Sequence, residues 1–152
     1  MLKSPWICAT VLGLVLFGSA AGSVRAEEDV KGAAIGSLTA SFLVQTYFNI
    51  GLLADASVKK DADKEQLTVT LATVEKLLST TETHMEALTK SDQVGEEDKE
   101  YLKKIKVCYA LLDEQITELH KFWKDPTEEH AKGFEAARQA AWKKISDTLG
   151  IK

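Results

Sequence analysis

The chain has 152 residues, 45% hydrophobic and 28% charged, with 23 acidic against 19 basic side chains and a net charge of −4. That length holds one domain of ordinary size with its own core. The acidic balance excludes the basic stripe that nucleic acid or an anionic lipid surface needs as a partner.

Lys3 supplies a positive start, Ile7 to Phe17 an apolar core, and Gly18 to Ser23 a run of small residues before Val24-Arg25-Ala26. This order predicts a cleavable signal peptide over residues 1–26 and an exported mature chain, periplasmic or secreted, over residues 27–152. Loss of Lys3 and Arg25 leaves 17 basic against 23 acidic residues, a net charge of −6. Cys8 precedes the apolar core, so it does not stand where a lipid-modified cysteine would, and it leaves with the peptide. Cys108 is then the remaining thiol, expected to be a small buried hydrophobe.

From Gly32 to Ala54 no residue is charged. At about 1.5 Å per residue a helix over this segment is roughly 35 Å long, enough to cross a bilayer. The alternative to an exported chain is therefore a membrane hairpin made with an uncleaved signal. Six polar side chains argue for a helix packed on protein instead: Ser37, Thr39, Ser41, Gln45, Thr46 and Asn49. Ser37, Ser41, Gln45 and Asn49 recur every four residues and form one stripe, open to water or to a partner. Gly32, Gly36 and Ala40 recur at the same interval and mark a line of close helix approach. The candidate interface is accordingly Gly32, Gly36, Ala40, Ser41 and Gln45, used by a second copy or another protein. Once the signal is removed, no membrane partner is expected.

Three more helices follow. Between Lys59 and Leu88 the helical seam is Leu67, Leu71, Val74, Leu78, Thr81, Met85 and Leu88, with Asp63 and Gln66 placed for a capping box. Between Glu96 and Lys124 the seam is Leu102, Ile105, Tyr109, Leu112, Ile116, Leu119 and Trp123, at heptad spacing. Glu96, Glu97 and Asp98 open that helix, and Lys121 and Lys124 close it, as the macrodipole favours. Asp125-Pro126-Thr127-Glu128 predicts an Asp N-cap, a Pro at the first position and a Glu at the third. Phe134, Ala137, Ala141 and Ile145 form the last apolar face, and Gly150 stops the helix. The connectors are short and polar, so the fold class is all-α, an up-down-up-down four-helix bundle.

The chemistry is sparse. The sequence contains no Cys-x-x-Cys-His for covalent haem, no phosphate-binding glycine loop and no Gly-x-Ser-x-Gly elbow. The residues three before His84, His120 and His130 are Thr81, Thr117 and Thr127, so the Glu-x-x-His pairs of di-iron bundles are absent. No catalytic residue, metal ligand or cofactor is assigned. A haem or metal held by Met85 and a histidine, or a small apolar ligand among the many rings, is the alternative to a non-catalytic binding or scaffolding role. If the export reading holds, mass spectrometry of the protein recovered from its host will find an N-terminus near Glu27. An intact Met1 in a carbonate-resistant membrane fraction would transfer the assignment to the hairpin.

Overall fold

In a computed structural model, which describes residues 25–59 and 61–151, every regular element is an α-helix: α1 (Arg25–Ser57), α2 (Lys64–Thr89), α3 (Glu96–Lys124) and α4 (Glu128–Leu149). The expected signal peptide lies almost wholly outside the described residues; its last two residues, Arg25 and Ala26, open α1.

Each helix buries the stripe that its periodicity selects. On α3 this is Leu102, Ile105, Cys108, Tyr109, Leu112, Ile116 and Leu119, and on α2 it is Leu71, Val74, Leu78 and Met85. The α4 stripe is narrower and made of small residues, Ala137 and Ala141, with Ile145. Small side chains let two helix backbones approach, and α3 and α4 share the broadest interface. On α1 the buried residues are Thr39, Leu43, Thr46, Tyr47, Ile50, Leu53 and Ala54.

The helices alternate in direction. The start of α1 meets the end of α2 and the start of α3, through Gly32, Leu88 and Asp98. Cys108 of α3 reaches Thr148 of α4, while Glu118 of α3 lies against Gly133. The end of α1 meets the beginning of α4, through Ala54 and Phe134. Packing is not square, however. Among the described residues α1 touches α3 directly, whereas α2 and α4 do not meet. The α1–α3 pair is thus the central contact, with α2 and α4 on opposite flanks.

The caps follow the sequence in part. Asp63 caps α2, its Oδ1 accepting from the Gln66 N–H at 3.0 Å. The reciprocal half of the expected capping box, Gln66 Oε1 accepting from the Asp63 N–H, is missing among the described residues; the Gln66 side chain lies along the helix, its Nε2 donating to Thr70 Oγ1. At α4 the expected Asp125 cap is corrected. α3 runs on to Lys124, so Asp125 closes α3, its N–H bonded to the Lys121 carbonyl at 3.0 Å. Thr127 is the N-cap of α4 and accepts from the His130 N–H at 3.3 Å. Gly150 ends α4 with φ 67°, the left-handed conformation that a Cβ disfavours, and Ile151 N–H bonds back to the Ser146 carbonyl.

The threonines of α2 are unusual. Seven of them, exposed or half-buried, Thr68, Thr70, Thr73, Thr80, Thr81, Thr83 and Thr89, each donate a hydroxyl hydrogen bond to the carbonyl four residues back. The core also holds Gln115, on the same α3 face as Cys108, fully buried with neither amide atom paired among the described residues.

The cap assignment has a direct test. Thr127→Ala removes the first-turn acceptor and should cost about 1 kcal/mol in urea unfolding. Asp125→Ala should stay within about 0.5 kcal/mol of the parent. The opposite ranking would restore Asp125 as the cap.

Candidate interaction surface on the first helix

From Gly32 to Ala54 α1 has no charge to mark a wet side, so packing decides which face of this segment meets water. α1 turns Leu43, Tyr47, Ile50 and Leu53 toward the core. At 100° per residue the opposite face carries Ser37, Leu38, Ser41, Gln45, Phe48, Asn49 and Leu52. All seven are exposed, with Leu38 at 72%, Leu52 at 64% and Phe48 at 52%. The polar stripe therefore faces outward, but it is interleaved with large apolar side chains. Phe48 departs from the interior position suggested by its ring. It lies at the edge of the face, its centroid 5.9 Å from Trp142, which also packs 5.0 Å from Tyr47 and ties α1 to α4.

The five candidate interface residues divide between two places. Ser41 and Gln45 lie on the exposed face. Gly32 and Gly36 lie on the inner side, lining a cavity of about 370 Å³ against the α2–α3 turn at Leu88, Val94 and Tyr101. Among the described residues no helix approaches closely there. A Cβ on Gly36 would meet nothing within 4 Å, and one on Gly32 would come no nearer than 3.9 Å to Asp98 Oδ1. Ala40 is half-buried between the two places.

No helix among the described residues is long and apolar enough to cross a membrane. The hydroxyls and amides of α1 lower its hydropathy below what a span requires.

The residues weighed for other chemistry are dispersed. Cys108 is a buried free thiol; burial pushes its pKa up, opposed by the hydrogen bond to Thr148 Oγ1 at 3.6 Å. Met85 is buried in the α2 seam, and His84 beside it is exposed. His120 is not simply solvated: its Nε2 stands 2.6 Å from Glu75 Oε1 and links α3 to α2. His130 Nδ1 stands 2.7 Å from the Asp125 carbonyl, within the α3–α4 corner. Among the described residues no group of three or more His, Cys, Asp or Glu side chains is placed to hold a metal ion. The His120–Glu75 contact spans 45 residues of sequence and has no local signature, which is why sequence reasoning missed it.

Comparison of the chain with protein-family models, with curated proteins and with solved structures gives no match. The functional reading therefore rests on the chain's own residues.

Beside the His120 contact, Asp113 sits at the α2–α3 boundary. Although Asp113 is exposed, local desolvation by its neighbours, then the Glu82 and Glu75 carboxylates, hold its carboxyl above the usual range. A carboxyl whose folded pKa is raised destabilises the fold once ionised, so this effect grows as pH rises through its titration. Asp113→Asn should accordingly raise Tm at pH 7. The gain should vanish near about pH 3, where the carboxyl is protonated folded and unfolded alike. Parallel thermal melts at the two pH values check this, and an equal gain at both would remove the electrostatic explanation.

Proposed function

We propose that this chain is an exported, non-catalytic helical protein with a scaffolding role, and that it assembles with a second copy of itself through the outer face of α1. The observation that carries the reading is the composition of that face. From Gly32 to Ala54 it has no charge, yet it exposes Leu38, Phe48 and Leu52. The chain expected after signal cleavage carries a net −6, so two copies repel one another over most of their surfaces. The α1 face is a long surface on which identical chains meet without bringing like charges together.

Its order also suits a two-fold pair. A closed symmetric dimer requires a patch that complements itself when reversed. Counting outward from Gln45, Leu38 and Leu52 are each seven residues away, and Ser41 and Asn49 are each four. Two antiparallel α1 helices crossing at Gln45 therefore set Leu38 of one protomer beside Leu52 of its partner, and Ser41 beside Asn49. The two Gln45 amides meet on the axis, where each is both donor and acceptor.

Light scattering at micromolar concentration should give twice the chain mass. The double variant Ser41→Glu, Gln45→Glu should give a monomer with unchanged far-UV circular dichroism, because unpaired charges would be desolvated at the interface. Gln45→Cys should cross-link to itself under mild oxidation, whereas Leu38→Cys should cross-link efficiently only when mixed with Leu52→Cys. A wild-type monomer, or Leu38→Cys pairing best with itself, would refute the antiparallel assembly.

A further inference from the structure

The α1 pairing brings more than α1 into contact. A stable interface of standard size takes about 20 to 30 residues a side, whereas the outer face of α1 offers seven. A flanking helix must supply more. One edge of α2 faces α3, where Glu75 meets His120. The other edge faces α1, where Leu88 stands across from Gly32 and Gly36. Half-buried Thr70 and Thr81 lie along that second edge. At 100° per residue, the side chains next round the helix from it are Gln66, Thr73, Leu77 and His84. All four are exposed, Leu77 at 53%, and the strip holds no Asp, Glu, Lys or Arg. Because α3 lies behind α1, this strip and the outer face of α1 look the same way.

The strip is also centred. Counting outward from Leu77, Thr73 and Thr81 are each four residues away, and Thr70 and His84 are each seven. Its centre is level with Gln45. Stepping from Gly32 or Gly36 to Gln45, and the same number of residues back along antiparallel α2 from Leu88, reaches residues 75 and 79, and Leu77 stands midway. The two-fold axis of an antiparallel α1 pair lies between the two helices and perpendicular to both, so a helix on one flank meets its own copy there. We propose that α2 of one protomer packs on α2 of its partner along this strip, Leu77 against Leu77, on the axis that passes between the two Gln45 amides. This contact rests on the α1 pairing proposed above. The threonines suit it. Thr73 Oγ1 donates to the Val69 carbonyl at 2.9 Å, and Thr81 Oγ1 to the Leu77 carbonyl at 2.8 Å. Hydroxyls already bonded within their own helix can be covered without leaving a donor unpaired. Assembly also supports α2, which within one chain packs only along α1 and α3.

The test is a charge swap at Leu77 in the full chain, read by sedimentation equilibrium. Leu77→Glu and Leu77→Lys should each raise the dimer dissociation constant about tenfold or more, because like charges then meet on the axis. Mixed in equal amounts, the two variants should associate with each other about tenfold more tightly than either does with itself. Leu77 is half exposed in one chain, so folding tolerates the charge, and far-UV circular dichroism of each variant checks this. Val107→Glu, at a comparably exposed apolar site on α3, should leave the constant unchanged. Parent-like association of both Leu77 variants, or no preference for the mixed pair, overturns the α2 contact. If Gln45→Cys still cross-links to itself in that case, the α1 pairing stands and the α2 contact alone falls. A monomeric parent removes both.

Discussion

The direct contact between α1 and α3 governs the rest of the arrangement. Leu43, Ile50 and Leu53 of α1 share one cluster with Ile105, Leu112 and Ile116 of α3. Once these two helices touch, α2 and α4 are held apart on the flanks and cannot touch each other. A helix central on one side is left uncovered on the other, because two flanking helices reach only partway around it. The exposed leucines of α1 follow from this geometry rather than from any local signal.

The same constraint separates two kinds of apolar surface. On the inner side of α1 the side chains interdigitate with three neighbours. On the outer side Leu38 and Leu52 stand free among serines and amides. Elsewhere the surface is densely charged, with pairs such as Lys132–Glu128 and Arg138–Glu135 one turn apart. Such exposed pairs add little to stability, but they keep those faces well hydrated. Against that background a long uncharged face is conspicuous, since an apolar patch rimmed by polar residues is how interaction sites are commonly marked.

Much of this was legible in the sequence, and the parts that were not share a physical reason. α3 is bounded by its acids and lysines and striped at heptad spacing, so Glu96 and Lys124 are readable as its ends. The end of α4 is equally local, since Gly150 adopts the conformation its type favours. The start of α4 misled because Asp125 and Thr127 are both good caps, and the path of the backbone through the α3–α4 corner chooses between them. For the Gly32–Ala54 segment of α1 the wheel separates two faces, but without charges it does not say which is outside. Gly32 and Gly36 consequently read as a contact line, although they border a cavity. His120 was readable as the flank of a seam. Its partner on α2, Glu75, is brought there only by the antiparallel return of the chain.

The threonines of α2 carry a consequence for how the protein breathes. A hydroxyl that bonds the carbonyl four residues back competes for the helix's own acceptor and bends it slightly. β-Branched residues also lose rotamer freedom in a helix. α2 therefore contributes little intrinsic helicity, and it packs only along α1 and α3, while α3 and α4 are joined over the broadest interface. Local opening is drawn from segments with few buried contacts and many solvated backbone hydrogen bonds. By that measure α2 is the element that detaches first, with α3 and α4 as the last cooperative unit. Amide exchange would register this as a gradient of protection, lowest along the exposed face of α2 and highest around Ile105 and Ile145.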